Sequence, residues 1–511
     1  MKKIKSLFTI VLALVLTASC DDAIDIIQDG ELPMDLNTEA DLQQYLRGQI
    51  YSNLDVSSDI SLTAVFTDEV SIGIDNGGQD ISLHRFFLNQ SDGYVANMWL
   101  TNYTVINGVN RLLSEAESIP TTEAIPSILA EARALRAFSY LQLLSYFSTD
   151  MSNDNALGVI LLDFVPQLET RFPRVSNGEI YALIESDLAF ANENLKNPTG
   201  SDSYKYVTKN LVNSIYARMY LYRKNYPLAK EYAEKVKNES GLVLTKGILR
   251  TPTDTDNNPT TPDEIVETFP YTRMWADAER GEIIWAMSRP LEGSWGNIAS
   301  AFYFNSTSAS GSPYLEMGRI LYNKLAAVSG DRRLVDFVDS SRKLDPDYET
   351  NINYIKADVI PINKYPGKTG QPLRNDLKIF RLSETYFILA ECAIFQGDLA
   401  TAAGYIRDVR AARNTLNPNP ITLPNYTNAT VALGDLLDER RKELCYEGFR
   451  YLDIKRLGAL ADRSVERHPT DDQIKSLPTT ISNTDYRFTL PIPQAEVSGN
   501  PTIQQNPGYG N

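Results

Sequence analysis

Residues 381–413, RLSETYFILAECAIFQGDLATAAGYIRDVRAAR, constrain the fold more than any other stretch. Leu382, Tyr386, Leu389 and Ala393 recur at helical spacing, as do Leu399, Ala402, Ala403, Ile406 and Val409, so each half carries an apolar stripe. Gln396-Gly397-Asp398 supplies the turn between them, and two facing stripes make a helical hairpin. Ala390, Ala393, Ala402 and Ala403 let the helices approach closely, in the tetratricopeptide manner. Such a hairpin leaves an outer face open and needs a neighbour of its own kind. Residues 209–237 supply one. Ala217, Tyr220, Asn225, Tyr226, Ala229 and Ala233 match Ala390, Ala393, Asp398, Leu399, Ala402 and Ile406, and every pair is 173 positions apart. The constant offset marks a repeat split by a long insertion.

Helical spacing recurs over 38–54, 94–117, 128–147, 179–195, 314–328 and 432–446, resuming as far as Arg456. Short extended runs stand at 159–162 and 282–287. Two regions have the opposite texture. Residues 57–93 combine alternation with turn residues around Gly73, Gly77 and Gly78, and read as an irregular loop region. Residues 240–375 contain a Thr/Pro/Asn/Asp tract at 251–263 and a Ser/Gly/aromatic tract at 299–313. Loops of that length within a packed chain are usually functional. The end, with Leu490-Pro491-Ile492-Pro493 and Asn506-Pro507-Gly508-Tyr509, should lie extended over the body. The predicted fold class is mainly α: a tetratricopeptide-like helical-hairpin scaffold with long loop-rich insertions and a few short strands.

The first residues, MKKIKSLFTIVLALVLTASC, have a basic start, an apolar run and a small-residue stop, which is a secretory signal. Cys20 follows small residues as in a bacterial lipobox, with Thr17 where that pattern prefers Leu, so residues 1–19 are read as the signal peptide and Cys20 as lipidated. Residues 20–36 form an acidic tether. No later run has the length of a transmembrane span. Net charge is −16 and becomes more negative when Lys2, Lys3 and Lys5 leave with the signal, which excludes nucleic-acid binding through phosphates and favours a neutral ligand. Cys392 and Cys445 stand inside helical patterns without metal-type spacing and read as buried thiols.

Several separated motifs, in order, resemble the SusD/RagB nutrient-binding lipoproteins of Bacteroidetes outer membranes. They are Arg136-Ala137-Phe138-Ser139-Tyr140; Arg381-Leu382-Ser383-Glu384 through Ala390-Glu391; Glu439-Arg440-Arg441-Lys442-Glu443-Leu444 with Glu447-Gly448-Phe449-Arg450 and Asp453; and Leu490-Pro491-Ile492-Pro493 with Gln505-Asn506-Pro507-Gly508-Tyr509. The resemblance implies a SusD-like N-terminal helical region over 37–239 with an early ligand loop at 57–93, a ligand-binding insertion at 240–375, and a C-terminal RagB/SusD region over 376–511. It also implies an outer-membrane location facing the cell exterior and a SusC-like TonB-dependent transporter as partner. The ligand would be an oligosaccharide or, in some members, a peptide. Acidic Asp21 and Asp22 after Cys20 resemble a surface-export signal of such lipoproteins.

Sugar binding needs flat apolar faces for pyranose rings and planar polar groups for hydroxyls. The insertion offers Tyr271, Trp275, Trp295, Phe302, Tyr303 and Phe304; the early loop offers Asp75, Asn76, Asp80, His84 and Arg85. Tyr271, Trp275, Trp295, Tyr303, Asp75, Asn76 and Arg85 are the expected ligand-binding residues, Trp295 foremost because glycines flank it, whereas Trp285 in an apolar strand reads as core. No catalytic residue, metal or cofactor is expected. Glu439, Glu443 and Glu447 stack on one helix face, whereas a glycosidase needs carboxylates across a cleft, and nearby arginines make an ion-pair network the better reading. His84 and His468 lack a neighbouring nucleophile motif. In the calcium-like stretch 254–258, Pro259 stands where such a loop needs Gly. The rival readings are a peptide-binding relative, a surface glycosidase and a structural repeat adaptor.

Overall fold

The computed structural model of the protein describes residues 36–167, 170–253, 264–289, 313–371 and 374–510. Its N-terminal helix α1 (Glu39–Tyr45) starts with a capping box between Thr38 and Asp41 and runs on through a π-turn over Leu46–Ile50. Helix α2 (Ser57–Phe66) corrects the sequence reading of 57–93 as irregular throughout. Its residues are buried on nearly every side, so the sequence lacks the polar face that produces a 3.6-residue period. Strand β1 (Val70–Ile72) and the short helix α3 (Ile81–His84) follow.

A run of neighbouring helices builds the scaffold: α4 (Gly93–Ala116), α5 (Ile125–Phe147), α6 (Asn177–Asn194), α7 (Lys209–Tyr222) and α8 (Tyr226–Glu239), each packed on the next. The signature at Arg136–Tyr140 ties this layer together. Arg136 gives both its Nε and Nη2 to Asp187 of α6 at 2.7 Å and its Nη1 to Asn110 Oδ1 of α4 at 2.6 Å. The Tyr140 hydroxyl donates to the Leu162 carbonyl and accepts from the Leu162 amide, fixing the segment after β2 (Leu157–Ile160), which pairs with β3 (Arg174–Ser176).

From α8 the chain leaves the scaffold and returns as α13 (Leu382–Phe395), which packs on α8 as the next repeat, followed by α14 (Leu399–Arg413) and α15 (Ala429–Leu444). The repeat is therefore interrupted in sequence and contiguous in space. Helix α13 carries more than one stripe, because α7, α8, α14 and α15 all pack on it and nearly every residue is buried. Arg218 of α7 grips Glu384 of α13 with two bonds of 2.7 Å and lies 3.6 Å over the Phe380 ring.

Both hairpin turns are built alike. Asn225 and Asp398 cap α8 and α14 through their side chains, and their own amides reach back to Tyr220 O and Ala393 O at 2.9 Å. The preceding residue is left-handed in both, Gly397 at φ 81° and Lys224 at φ 58°.

The intervening stretch is less loop-like than its composition suggests. It contains the hairpin β4 (Leu249–Thr253) and β5 (Glu264–Thr268), helix α9 (Pro270–Trp275), strands β6 (Ile283–Met287) and β7 (Leu315–Met317), and helices α10 (Arg319–Ala326), α11 (Arg332–Phe337) and α12 (Tyr354–Ala357). Thus 314–328, read as one helix, is a strand and then a helix. Strand β8 (Leu377–Arg381) pairs antiparallel with β6, fully buried, and leads straight into α13. Trp285 on β6 meets Phe138 edge-on at 5.2 Å, in the core as expected.

Helix α16 (Arg450–Leu457) follows α15 after a turn at Gly448. The C-terminal segment crosses the body, broken by the short helix α17 (Gln494–Gly499). Prolines remove donors here, and side-chain amides replace them. Gln505 accepts from Ile492 N at 2.7 Å and donates to Ile492 O at 2.8 Å, while Asn506 Nδ2 donates to Phe147 O and Leu490 O.

Helix α15 lies against a buried charge network. Glu443 accepts from Arg381 at 2.9 Å, Arg413 at 2.8 Å, Arg333 at 3.2 Å and the Tyr271 hydroxyl at 3.1 Å. Glu447 is held by Arg381 and Lys364, Glu439 by Arg333, Arg410 and Lys442, and Glu282 by Arg381 and Arg413. Burial alone would push the Glu443 carboxyl up, but Arg413, Arg381 and Arg333 outweigh it and hold the group well below the usual carboxylate range.

Three predictions follow from these arrangements. Glu443→Gln strands buried guanidinium charge and should cost about 3 kcal/mol or more in urea unfolding; a loss under about 1 kcal/mol would mean that the network relaxes freely. Lys224→Gly relieves a left-handed side-chain residue and should raise stability by about 0.5 kcal/mol, whereas Gly397→Lys, where an added Cβ meets nothing within 4 Å, should lower it by about 1 kcal/mol; opposite signs in the melts would refute the shared-turn account.

The third concerns pH. Burial raises the Asp59 carboxyl to about 8, against an unfolded value of roughly 4. The folded state thus keeps a proton that the unfolded chain releases, and stability is lost between those pH values. Asp59→Asn keeps the acceptor for Gln142 Nε2 and should melt higher than the parent at pH 8.5 but not at pH 4; an equal difference at both would exclude this titration.

Candidate functional site

Strands β1 and β7 pair antiparallel, Val70 with Met317 and Ile72 with Leu315, and so join the early loop to the end of the insertion. Beyond Ile72 the contact continues in irregular backbone. Gly73 N donates to Tyr314 O at 2.9 Å and Asp75 N to Pro313 O at 3.3 Å. A Cβ at Gly73 would collide with the Pro313 carbonyl, so this close approach requires glycine. Asn76 closes the loop, its Nδ2 on Tyr314 O at 3.0 Å and its Oδ1 accepting from Gly78 N at 3.1 Å. Gly77 and Gly78 take positive φ and carry the chain round the tip. Asp80 anchors the far side by accepting from the hydroxyls of Tyr94 at 3.0 Å and Tyr314 at 3.3 Å; burial raises its carboxyl above the usual range against these bonds.

The result is a rigid rim on which Asp75, Gln79 and the glycine backbone face solvent. Next to it, Arg85 is bidentate on Asp472 at 2.9 and 3.0 Å. His84 is buried, its Nε2 3.3 Å from Val70 O and its Nδ1 3.5 Å from Asp472. Burial, reinforced by the Arg467 charge, takes this imidazole down to about 4, so it is neutral at pH 7. Phe86 follows at φ 62° with its ring packed edge-on against Phe66, while Phe87 is 72% exposed. Phe87 is an open aromatic face that sequence reasoning missed; two adjacent phenylalanines carry no signal for which one turns outward.

The other expected site residues divide. Asp75 is exposed on the rim, and Arg85 stands nearby with its charge committed to Asp472. Asn76 is fully buried and shapes the loop from inside. Tyr271 and Trp275 are corrections: both lie in the core. Helix α9 places them one turn apart on its inner side, where Trp275 meets Phe337 and Tyr365 edge-on at 5.7 Å and Arg413 covers Tyr271 at 4.3 Å. Their i, i+4 spacing, with Met274 between, was the available signal. Trp295, Tyr303 and Cys20 lie outside the described residues, as does the calcium-like stretch 254–258. The described residues on either side are Arg289, which is pinned to Asp55 and Asp376, and Pro313 beside the rim.

Among the described residues, no three or more His, Cys, Asp or Glu side chains are grouped to hold a metal. Cys392 and Cys445 are buried free thiols. Glu439, Glu443 and Glu447 are occupied by arginine and lysine partners, as the ion-pair reading expects, but only Glu439 and Glu443 share a face of α15: the helix ends at Leu444, and Glu447 follows the left-handed Tyr446 at φ 61°. No helix among the described residues is long and apolar enough to cross a membrane.

Two family models match the chain, one described as the SusD family over residues 342–509 and one as starch-binding associating with outer membrane over residues 23–221. The SusD-like protein P2 of Formosa agariphila is 24% identical over the full length of both chains. The starch-binding protein SusD of Bacteroides thetaiotaomicron is 30% identical over 134 residues, 26% of this chain and 22% of its own. Among solved structures, a SusD superfamily protein from Bacteroides thetaiotaomicron superposes with a TM-score of 0.73 at 23% identity, covering 92% of this chain and 99% of that one. A putative sugar binding protein from Bacteroides vulgatus gives 0.70 at 23%, covering 93% and 100%. SusD-type family models over residues 23–221 and 342–509, which together span well over half of the chain, agree with the fold shared with SusD superfamily structures: the chain belongs to the SusD/RagB family.

Proposed function

We propose that the protein is a lipid-anchored binding protein of the outer-membrane surface that captures oligosaccharides and passes them to a SusC-like TonB-dependent transporter, without bond chemistry of its own. One observation carries the reading: the β1–β7 pairing joins a hydrogen-bonded polar rim to the strand that follows Trp295 and Tyr303 in the sequence. Aromatic faces with a polar rim suit pyranose rings, whose axial C–H groups stack and whose hydroxyls need fixed partners. The starch-binding description of the N-terminal family model and the names of the relatives point the same way. Cys20 is the proposed lipid attachment and residues 20–36 the tether that leaves the body free to move over its transporter. No observation favours the peptide reading.

Calorimetry of the body from Asp21 onward against an oligosaccharide panel tests this. Trp295→Ala and Phe87→Ala should each weaken glycan binding about tenfold, the loss of roughly 1–2 kcal/mol of stacking, with no product formed. Unchanged affinity in both variants would remove the rim as the site, and released reducing ends would make the protein an enzyme.

A further inference from the structure

A second groove has a different lining. It has a volume of about 440 Å³, within the range of roughly 300–1,000 Å³ usual for small-molecule sites, and runs along α4. Trp99, Tyr103, Asn107 and Arg111, four residues apart, form its floor; residues from 160–167 and 170–172 make one wall and α17 with Asn500 the other.

The floor is preorganised. Trp99 packs edge-on against Phe147 at 5.0 Å and tilted against Tyr103 at 4.9 Å. Its indole N–H donates to Glu496 Oε2 at 3.3 Å, while Asn500 Nδ2 donates to the other carboxylate oxygen at 3.1 Å. The Tyr103 hydroxyl is spent on Ile160 O at 2.8 Å, which leaves its ring as a surface. Arg171 clamps the far end through Nε on Gly499 O at 2.6 Å. Asn107 differs from these: its Oδ1 has no hydrogen-bond partner among the described residues and is shielded from solvent, so a ligand pairs it only if the amide turns toward the groove.

The chemistry narrows the occupant. Glu496 on one wall disfavours an anion, and Arg111 with Arg171 disfavours a cation. A purely apolar ligand would leave the Asn107 amide unpaired, at a cost of about 1–3 kcal/mol. A neutral ring with one apolar face and peripheral hydroxyls satisfies the floor and the walls together. We propose that this groove is a second saccharide site, taking a mono- or disaccharide unit. It rests on the reading that the protein handles glycans, and its lining shares no residue with the rim: Tyr94 holds Asp80 at the start of α4, whereas the floor begins at Trp99, about 7.5 Å further along the helix, and ends at Arg111, about 25 Å along.

Gly499 provides the test, because it lines the groove and a Cβ there meets nothing within 4 Å. Asn107→Leu is the second variant, near-equal in size but without the amide. Titrations with maltotriose, laminaritriose, xylotriose and chitotriose would use the parent, a Trp295→Ala/Tyr303→Ala rim variant, and the rim variant carrying Gly499→Phe or Asn107→Leu. The rim variant should keep a residual site for at least one sugar, and both groove substitutions should weaken that site tenfold or more while the melts stay unchanged. Residual binding untouched by both groove substitutions, or none in the rim variant of a parent that binds, overturns the groove and leaves the proposed function standing. A parent that binds none of the four sugars overturns both.

Discussion

The structure depends on a set of charges that water cannot reach. Glu443 sits among Arg333, Arg381 and Arg413, and each arginine belongs to a different element: α11, the end of β8 and the end of α14. Neighbouring Glu447 adds Lys364, whose ammonium also caps the carbonyls of Glu443 and Cys445 beyond the end of α15. A buried ion pair gains little stability over apolar packing, but it tolerates no misplaced partner. Its value here is positional. The insertion must return to one register for every guanidinium to find its carboxylate, and this lets a chain with an interrupted repeat close as one body.

Around that centre the helical repeats supply continuity. Helix α13 stacks on α8 although residues 240–381 lie between them, because the open face of one hairpin is the shape that covers the next. The intervening residues are thereby held at both ends. They contribute Trp275, Trp285, Arg333 and Lys364 to the interior, so the insertion is as much core as it is loop.

Local pattern was sufficient for what local pattern determines. The stripes of α14, Glu439 and Glu443 on one face of α15 and Trp285 in an apolar strand were legible, since each rests on residues within a few turns of one another, and the split repeat was legible as two such local patterns. Long-range pairing was not. Nothing near Glu443 announces Arg333 or Arg381, 110 and 62 positions away. Helix α2 was hidden because burial on all sides erases periodicity, and Tyr271 and Trp275 were read as open aromatics because loop-like composition outweighed a single turn of helix. The direction of Phe87 hangs on one backbone angle at Phe86, which no side-chain pattern encodes.

The early loop is joined to the insertion almost wholly through backbone. Gly73, Asp75 and the β1–β7 ladder make their bonds with amides and carbonyls that every residue except proline possesses, and Gly73 is the position where size is restricted. The tips beyond can therefore exchange residues without loosening the frame that presents them. Such a scaffold can diversify in what it recognises while keeping the same architecture, with mutation of the tips free to explore and mutation of the seam held in check.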